Sequence, residues 1–516
     1  MIPNKTKRRT LSAILAFLSV TSFVSAKESV PSLSYSPDVK SVYPNNVYWG
    51  DTHLHTNLSV DASYWGGNKA LTPDDAYRFS RGDIVQATNG MKVQLHRPLD
   101  FLVVADHAYN MGVVPSLYEA NEILLETEAG RRLLHDFQQY QDTNNQSIYQ
   151  AIMGTLSSKK IFSEDRAHST WMDVAAKADS YNSPGKFTAF IGYEWTSWGV
   201  TPGVLGNLHR VVIYKDGEDK TSQITPLSSL DSSDPEDLWR SLETYQQKTG
   251  GEVLAIPHNG NVSNGGMFPS VDFEGRPLSS SYAKTRSRWE PLYEVTQIKG
   301  DGETHPVLSR SDEFADYETW NSWSGRTLKG VKTDGWIERK KSEYARSALK
   351  KGLQYQADLS INPFKFGMIG STDSHTSLAT ADENNFWGKI SKSEPSPKRI
   401  LEPVAWNENI LNWETAASGY AAVWAEENTR EALFAAMKRK EVYATTGPRM
   451  TVRFFGGWDY QPEDAFKPDL EKIGYRKGVP MGGDLTHAPK DRSPTFLIRA
   501  VRDPDGANLD RVQVIK

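Results

Sequence analysis

The chain has 516 residues, with 59 Lys and Arg against 64 Asp and Glu, a net charge of −5, and no cysteine. That length predicts one barrel-sized domain with insertions or a second module, and the dispersed charge excludes the basic face by which proteins hold nucleic acid through its phosphates. Without cysteine there are no disulfides and no thiolate ligands, so any metal must sit among nitrogen and oxygen donors.

Residues 1–26 read as a cleavable export signal. Lys5, Lys7, Arg8 and Arg9 precede an apolar run from Leu11 to Val24, too short to span a bilayer comfortably, and Val24-Ser25-Ala26 offers small residues for cleavage. A periplasmic or secreted location is therefore expected, with no membrane span in the mature chain. Residues 27–46, rich in Pro and Ser, read as a linker.

From Val47 to Arg449 short apolar runs alternate with helical stretches, and most of the runs end in a ligand-type residue. Val47-Tyr48-Trp49 leads to His53 and His55, Leu99–Val104 to Asp106-His107, and Phe187–Ile191 to Glu194. His209-Arg210 opens the run Val211–Tyr214; Val253–Ile256 ends at His258, and Phe366–Ile369 at Asp373. Continuous apolar runs suit strands buried on both faces, and polar residues repeated at their ends predict a barrel of parallel strands with its site at the carboxyl end. Residues 109–180, helix-like in their first half, and 260–359, helical through Trp336 to Leu353, read as insertions over the mouth. Thr429–Arg439 reads as a helix capped by Asn428. Residues 450–516 read as a small β-rich region, with strands at Met450–Trp458, Thr495–Val501 and the alternating end Arg511–Lys516. The 15 Trp and 22 Tyr serve either a large core or an aromatic-lined cleft, and core packing is their commoner use.

His53 and His55 are one residue apart, so on a strand both imidazoles face one side while Leu54 faces the other. A His-x-His pair is weak evidence alone. Asp61, His107, Glu194, His209, His258, Asp373 and His375, following in order at strand ends, make a set that surface chance does not explain.

The motifs that carry this set resemble the polymerase-and-histidinol-phosphatase (PHP) superfamily. Asp51-Thr52-His53-Leu54-His55 with Ser59-x-Asp61 is similar to its first motif, Ala105-Asp106-His107 to its second, Glu194 to its bridging glutamate, and Asp373-x-His375 to its final pair. Tyr48–His55, Val423–Arg430 and Tyr443–Arg449 resemble the exported bacterial family DUF3604. The resemblance implies a distorted (β/α)7-type barrel holding two or three divalent ions. His53, His55, Glu194 and Asp373 would hold one ion and Glu194, His209 and His258 a second, with Glu194 bridging. Asp61, His107 and His375 would hold a third, although Asp61 stands where many relatives have His.

Such ions generate hydroxide from bound water near neutral pH and offset the charge that develops on an ester's oxygens. His and carboxylate donors suit Zn, Mn or Fe. The expected activity is hydrolysis of a small phosphate-type ester, with phosphonate and sulfate esters as variants, and with Glu194, Asp61 and Arg449 as the catalytic residues. Arg449, past a Gly-Pro turn, and Arg210 are candidates to clamp an oxyanion; Arg210, next to an inward-facing ligand, should point outward. His305 is either a general acid or, more ordinarily, a solvated loop histidine. Asn207 and Asn259 either position substrate or cap turns, and His96, His135, His168 and His487 read as surface residues. The competing readings are a PHP-type nuclease, disfavoured by export and by the missing basic face, and a non-catalytic, metal-stabilised ligand-binding protein.

Overall fold

Strands made of buried apolar runs build the wall of the site. Along the chain these are β1 (Asn46–Leu54), β2 (Phe101–Val104), β3 (Thr188–Trp195), β4 (Arg210–Tyr214) and β5 (Val253–Pro257). There follow β6 (Leu292–Gln297), β7 (Gly367–Gly370), β8 (Tyr420–Ala425) and β9 (Val442–Thr445). The computed structural model describes residues 43–516 except 198, 202–203, 321–334, 405–406 and 416–418. The expected export signal, and nearly all of the expected linker, lie outside the described residues.

Seven strands form one curled sheet in the order β9-β8-β1-β2-β3-β4-β5. β6 and β7 pair in parallel and stand beside its two ends, β6 against β5 and β7 against β9. The all-parallel expectation is corrected here. β1, β2 and β3 run parallel, but β4 is antiparallel to both neighbours, and β8 is antiparallel to β1 and β9. Between Trp195 and Arg210 the chain makes a small hairpin rather than a crossover helix, so it returns in the opposite direction. The start of β4, not its end, therefore lies at the mouth, and His209 precedes that strand for this reason.

Alternate residues of the strands share a face. Phe101, Val103, Phe190, Val211, Ile213, Leu254, Ile256, Leu292, Ile369, Ala421 and Val423 form one buried core inside the curl. Helix Arg430–Arg439 joins this core through Leu433, Phe434 and Met437, at the end opposite the mouth. Burial of each Val, Leu or Ile here is worth about 1.5–3 kcal/mol. The intervening residues, among them Leu102, Ile191, Tyr193, Val212 and Tyr214, pack with Trp171 and Trp239 of the surrounding helices.

Thr429 rather than Asn428 caps helix Arg430–Arg439, its hydroxyl accepting from the Ala432 amide. Asn428 instead ties strands together, donating to the Asp100 carbonyl and accepting from Thr188 Oγ1. Residues 109–180 are helical over most of their length, in helices Val113–Tyr118, Glu128–Thr143, Gln146–Ser158 and Glu164–Tyr181. The segment 260–359 differs from a loop insertion: it contains β6, which is part of the wall. Its expected long helix is two, Trp336–Lys340 and Ala345–Leu359.

The C-terminal region forms an antiparallel sheet, β11-β10-β12, from β10 (Thr451–Gly457), β11 (Gly478–Pro480) and β12 (Thr495–Val501), around Phe455, Leu470 and Leu497. Arg511–Lys516 forms no strand and is exposed. Among the described residues no helix is long and apolar enough to cross a membrane.

Candidate metal centre

On β2, β3 and β5 the inward face continues its apolar series into a ligand-type residue at the mouth. Phe190 and Gly192 lead to Glu194, Leu254 and Ile256 to His258, and Val103 and Ala105 to His107. Gly192 is required where it stands, because a Cβ there would lie 2.6 Å from Val103 Cγ1 and from the Val212 carbonyl oxygen. The loop after β7 is bonded to the end of β1. The Asp373 amide donates to the His53 carbonyl at 2.8 Å, and the His55 amide to the Ser374 carbonyl at 2.9 Å. Asp373 adopts the left-handed conformation, φ 52°, a strained geometry that concentrates at functional sites.

Four donor atoms converge around the His pair. His53 Nε2 and His55 Nε2 face each other at 3.0 Å. Glu194 Oε2 lies 3.3 and 3.0 Å from them, and Asp373 Oδ1 lies 3.4 and 3.3 Å. Tetrahedral donors at about 2.0–2.1 Å from one zinc-sized ion stand about 3.3–3.4 Å apart. A single proton cannot link four such atoms, whereas one cation can, so the donor set fits a metal ion. The other oxygen of Glu194 serves a second group: Oε1 lies 2.6 Å from His209 Nδ1 and 2.8 Å from His258 Nε2. A third, looser group joins Asp61 Oδ2 to His107 Nε2 at 2.9 Å and to His375 Nε2 at 3.6 Å. The His55, Asp61 and His107 donor atoms also lie within 4.8 Å of one another. The nine expected ligands thus meet in one cluster, and Asp61, His209 and His375 keep the most solvent exposure.

The electrostatics favour cations at most of these donors, and at His53, where Glu294 and Glu194 outweigh burial and raise the pKa to about 9, a metal must displace a proton. Burial opposes the charge on Glu194, but the surrounding histidines outweigh it and hold its pKa well below the usual range; the same holds for Asp61 beside His107 and His375. Burial keeps His209 and His258 neutral, with pKa values pushed down to about 3 and about 4. Neutral imidazoles and ionised carboxylates are the forms that bind metal.

Several residues outside the expected ligand set also support the site. Glu294, on β6, accepts from His53 Nδ1 at 3.0 Å, the carboxylate contact that orients a ligating histidine. Its signal was present, since Leu292-x-Glu294 repeats the pattern of an apolar inward residue followed by a donor two residues on. Ser59 pairs with His55 Nδ1 at 2.8 Å. Asn259 acts through Gln297, whose amide donates to both Asn259 Oδ1 and Asp373 Oδ2. Lys299 and Lys389 reach Asp373, and no spacing in the sequence announces them. Burial lowers both lysine pKa values, Lys389 to about 7, and for Lys299 the charge of Lys389 adds to the effect.

Arg449 is not brought to the cluster. Its guanidinium donates to the carbonyls of Arg97 and Pro98, and its amide to Asp503, where it fastens the C-terminal region to the loop before β2. Arg210 points outward, as its strand position predicts, to Glu290 at 2.9 Å. His305 is buried rather than solvated, with Nδ1 accepting from the Val307 amide beside Tyr344. Asn207 is buried and its backbone N–H donates to the Val262 carbonyl. His96, His135 and His487 are exposed and His168 is half-buried.

Comparison with known proteins matches residues 42–516 to a family described as "Protein of unknown function (DUF3604)". No curated protein matches. A solved structure from Bacteroides vulgatus ATCC 8482, described as a two-domain protein containing a predicted PHP-like metal-dependent phosphoesterase, aligns with a TM-score of 0.30 and 12% identity. The alignment covers 78% of this chain and 65% of that one.

Proposed function

The chain belongs to the DUF3604 family, and from its donor cluster we propose that it is a metal-dependent hydrolase of small phosphate-type esters built on a PHP-type barrel. The observation that supports this most is Glu194, whose two oxygens each meet a separate group of imidazole nitrogens. A lone structural ion needs no such bridge, because structural sites are closed by four ligands around one ion.

His53, His55, Glu194 and Asp373 would hold one ion, Glu194, His209 and His258 a second, and Asp61, His107 and His375 a third. Bound divalent ions of the Mn, Zn or Fe type supply Lewis acidity toward water and toward the ester's oxygens. The protein's own residues keep the donors apart at a fixed spacing and ready to bind. Glu294 holds the His53 ring through Nδ1, Glu194 fixes two donor groups relative to each other, and the apolar core beneath excludes water from below. Asp61, His209 and His375 mark the open side, where a substrate would enter. The export signal proposed for residues 1–26 would deliver this chemistry to the periplasm or the medium.

Chelation of the purified protein, followed by a panel of chromogenic phosphate mono- and diesters, phosphonates and sulfates, tests the reading. Turnover should disappear with the metal and return with Mn²⁺ or Zn²⁺, and metal analysis should find two or three ions per chain. A panel with no metal-dependent turnover would refute the hydrolase.

A further inference from the structure

Two lysines stand inside the donor cluster without a part in the reading above. Lys389 has a side chain 1% exposed and Lys299 one 13% exposed, and both ammonium groups rest on Asp373. Lys389 Nζ is 2.6 Å from Oδ1, and Lys299 Nζ contacts Oδ2. Neither chain hangs loosely. The Lys299 amide donates to Gln297 Oε1 at 2.6 Å, and its carbonyl accepts from Asn261 Nδ2 at 2.9 Å. The Lys389 carbonyl accepts from the His375 amide at 2.8 Å, while its ammonium also bonds the Asp373 carbonyl.

Asp373 Oδ1 is the oxygen that faces His53 Nε2, His55 Nε2 and His375 Nε2. A cation held among these atoms would share that oxygen with the Lys389 ammonium, and two cations so close and so buried repel strongly. With metal bound, a buried ammonium without a partner is costly, so the lysines remain ammonium groups only where another anion takes over from Asp373 as their partner. Lys299, the more exposed of the two, places that anion on the open side of the cluster.

We propose that Lys299 and Lys389 form a paired cationic subsite that binds two terminal oxygens of the substrate's oxyanion beside the metal ions, and so favours doubly charged monoesters over singly charged diesters. This rests on the hydrolase reading. A lysine is a compact charge with rotatable donors and binds phosphate as a point charge. A monoester dianion offers one negative charge to each ammonium. A diester offers one between them and leaves one lysine uncompensated.

The test uses full-length, metal-loaded protein and the variants Lys299→Met, Lys389→Met and Lys299→Arg. Calorimetric titration with inorganic phosphate, metal analysis, and kcat/KM for p-nitrophenyl phosphate and its methyl diester are measured on each. Each Met variant should bind phosphate about ten- to a hundredfold more weakly, as loss of a charged hydrogen bond predicts, with metal content unchanged. The monoester-to-diester ratio of kcat/KM should fall by about tenfold or more, and Lys299→Arg should retain most of both. Should Lys389→Met fail to fold, Lys299→Met at the rim decides. Unchanged phosphate affinity and ratio in a metal-replete Lys299→Met protein would overturn the subsite, as would loss of metal in step with phosphate. A wild-type protein that binds phosphate through the lysines but cleaves no ester removes the hydrolase and keeps the subsite. One that cleaves esters regardless of the lysines does the reverse.

Discussion

Two buried polar clusters sit on opposite faces of the same strands, and they differ in how their charges are matched. Behind β4, Glu290 Oε1 accepts from Arg210 Nε at 2.9 Å and from Trp239 Nε1 at 2.9 Å, and Arg286 Nε is ion-paired with Oε2 at 3.0 Å. The guanidiniums also donate to the carbonyls of Leu208 and Met267. Opposite charges and donor–acceptor pairs meet there. At the mouth the pattern is reversed: ring nitrogens face ring nitrogens and carboxylate oxygens, as at His53, His55, Glu194 and Asp373. Acceptors crowded against acceptors mark a place for cations, whereas matched ions mark a structural brace. His209 and Arg210 are consecutive residues, yet each belongs to a different cluster, because successive strand residues face opposite sides.

The contrast can be broken or sharpened by substitution. The largest effect is expected at the bridge. Glu194→Gln should lower kcat/KM for a chromogenic ester on the order of a thousandfold, with an unaltered circular dichroism spectrum; retained turnover would refute the bridging role. Arg210→Met should act on folding instead. Removing one partner of a buried ion pair costs about 3–5 kcal/mol, to be read from urea unfolding, while metal content per folded chain stays constant. A drop in metal content would show that the two clusters are not separate. Glu294→Gln lies between these cases: weakening the group that orients a ligating histidine should reduce metal affinity by about 10–100-fold, measurable by competition with a chelator.

The smallest effect is on pH dependence, compared in metal-free protein. His209 and His258 have folded pKa values of about 3 and about 4, against 6.5 for free histidine. The unfolded chain therefore binds more protons between these limits, and stability falls as pH drops from about 6.5 toward 4. Burial opposes the charge on Glu290, but its two arginines hold its pKa below 4.5, so its contribution is present above 4.5 and is lost only as pH falls through the lower folded value. Thermal melts at pH 7 and pH 5 should therefore differ, and Arg210→Met should leave that difference nearly intact. Burial raises Asp51 to about 6 and Asp301 to about 7, which works in the opposite direction over this window. The histidines are therefore checked by His209→Asn, whose difference between the two melts should shift from that of the wild type; an unchanged difference would contradict the neutral state of His209.

Much of the site was legible because strand periodicity runs on into the ligands. Leu254, Ile256 and His258 are one series with period two, and so are Phe190, Gly192 and Glu194. Glu294 obeys the same rule, but its strand lay inside a stretch whose Ser, Gly and Arg content resembled a loop. Arg449 misled because a Gly-Pro turn followed by arginine resembles an anion clamp until its guanidinium is seen bonded to the carbonyls of Arg97 and Pro98. Lys299 and Lys389 carry no periodic signal, and only the folded chain places them on Asp373.

By itself, the sequence determined the donor types, their order, and the face each strand turns inward, since these follow from local geometry and the chemistry of side chains. The tertiary structure decided the rest. It reversed β4, so that His209 enters the site from the beginning of a strand. It made β6 part of the wall, which brought Glu294 to His53, and it joined Asp373 to His53 through a backbone bond across 320 residues of chain. Strand direction and the pairing of distant segments depend on which surfaces bury together, and no local pattern carries that information.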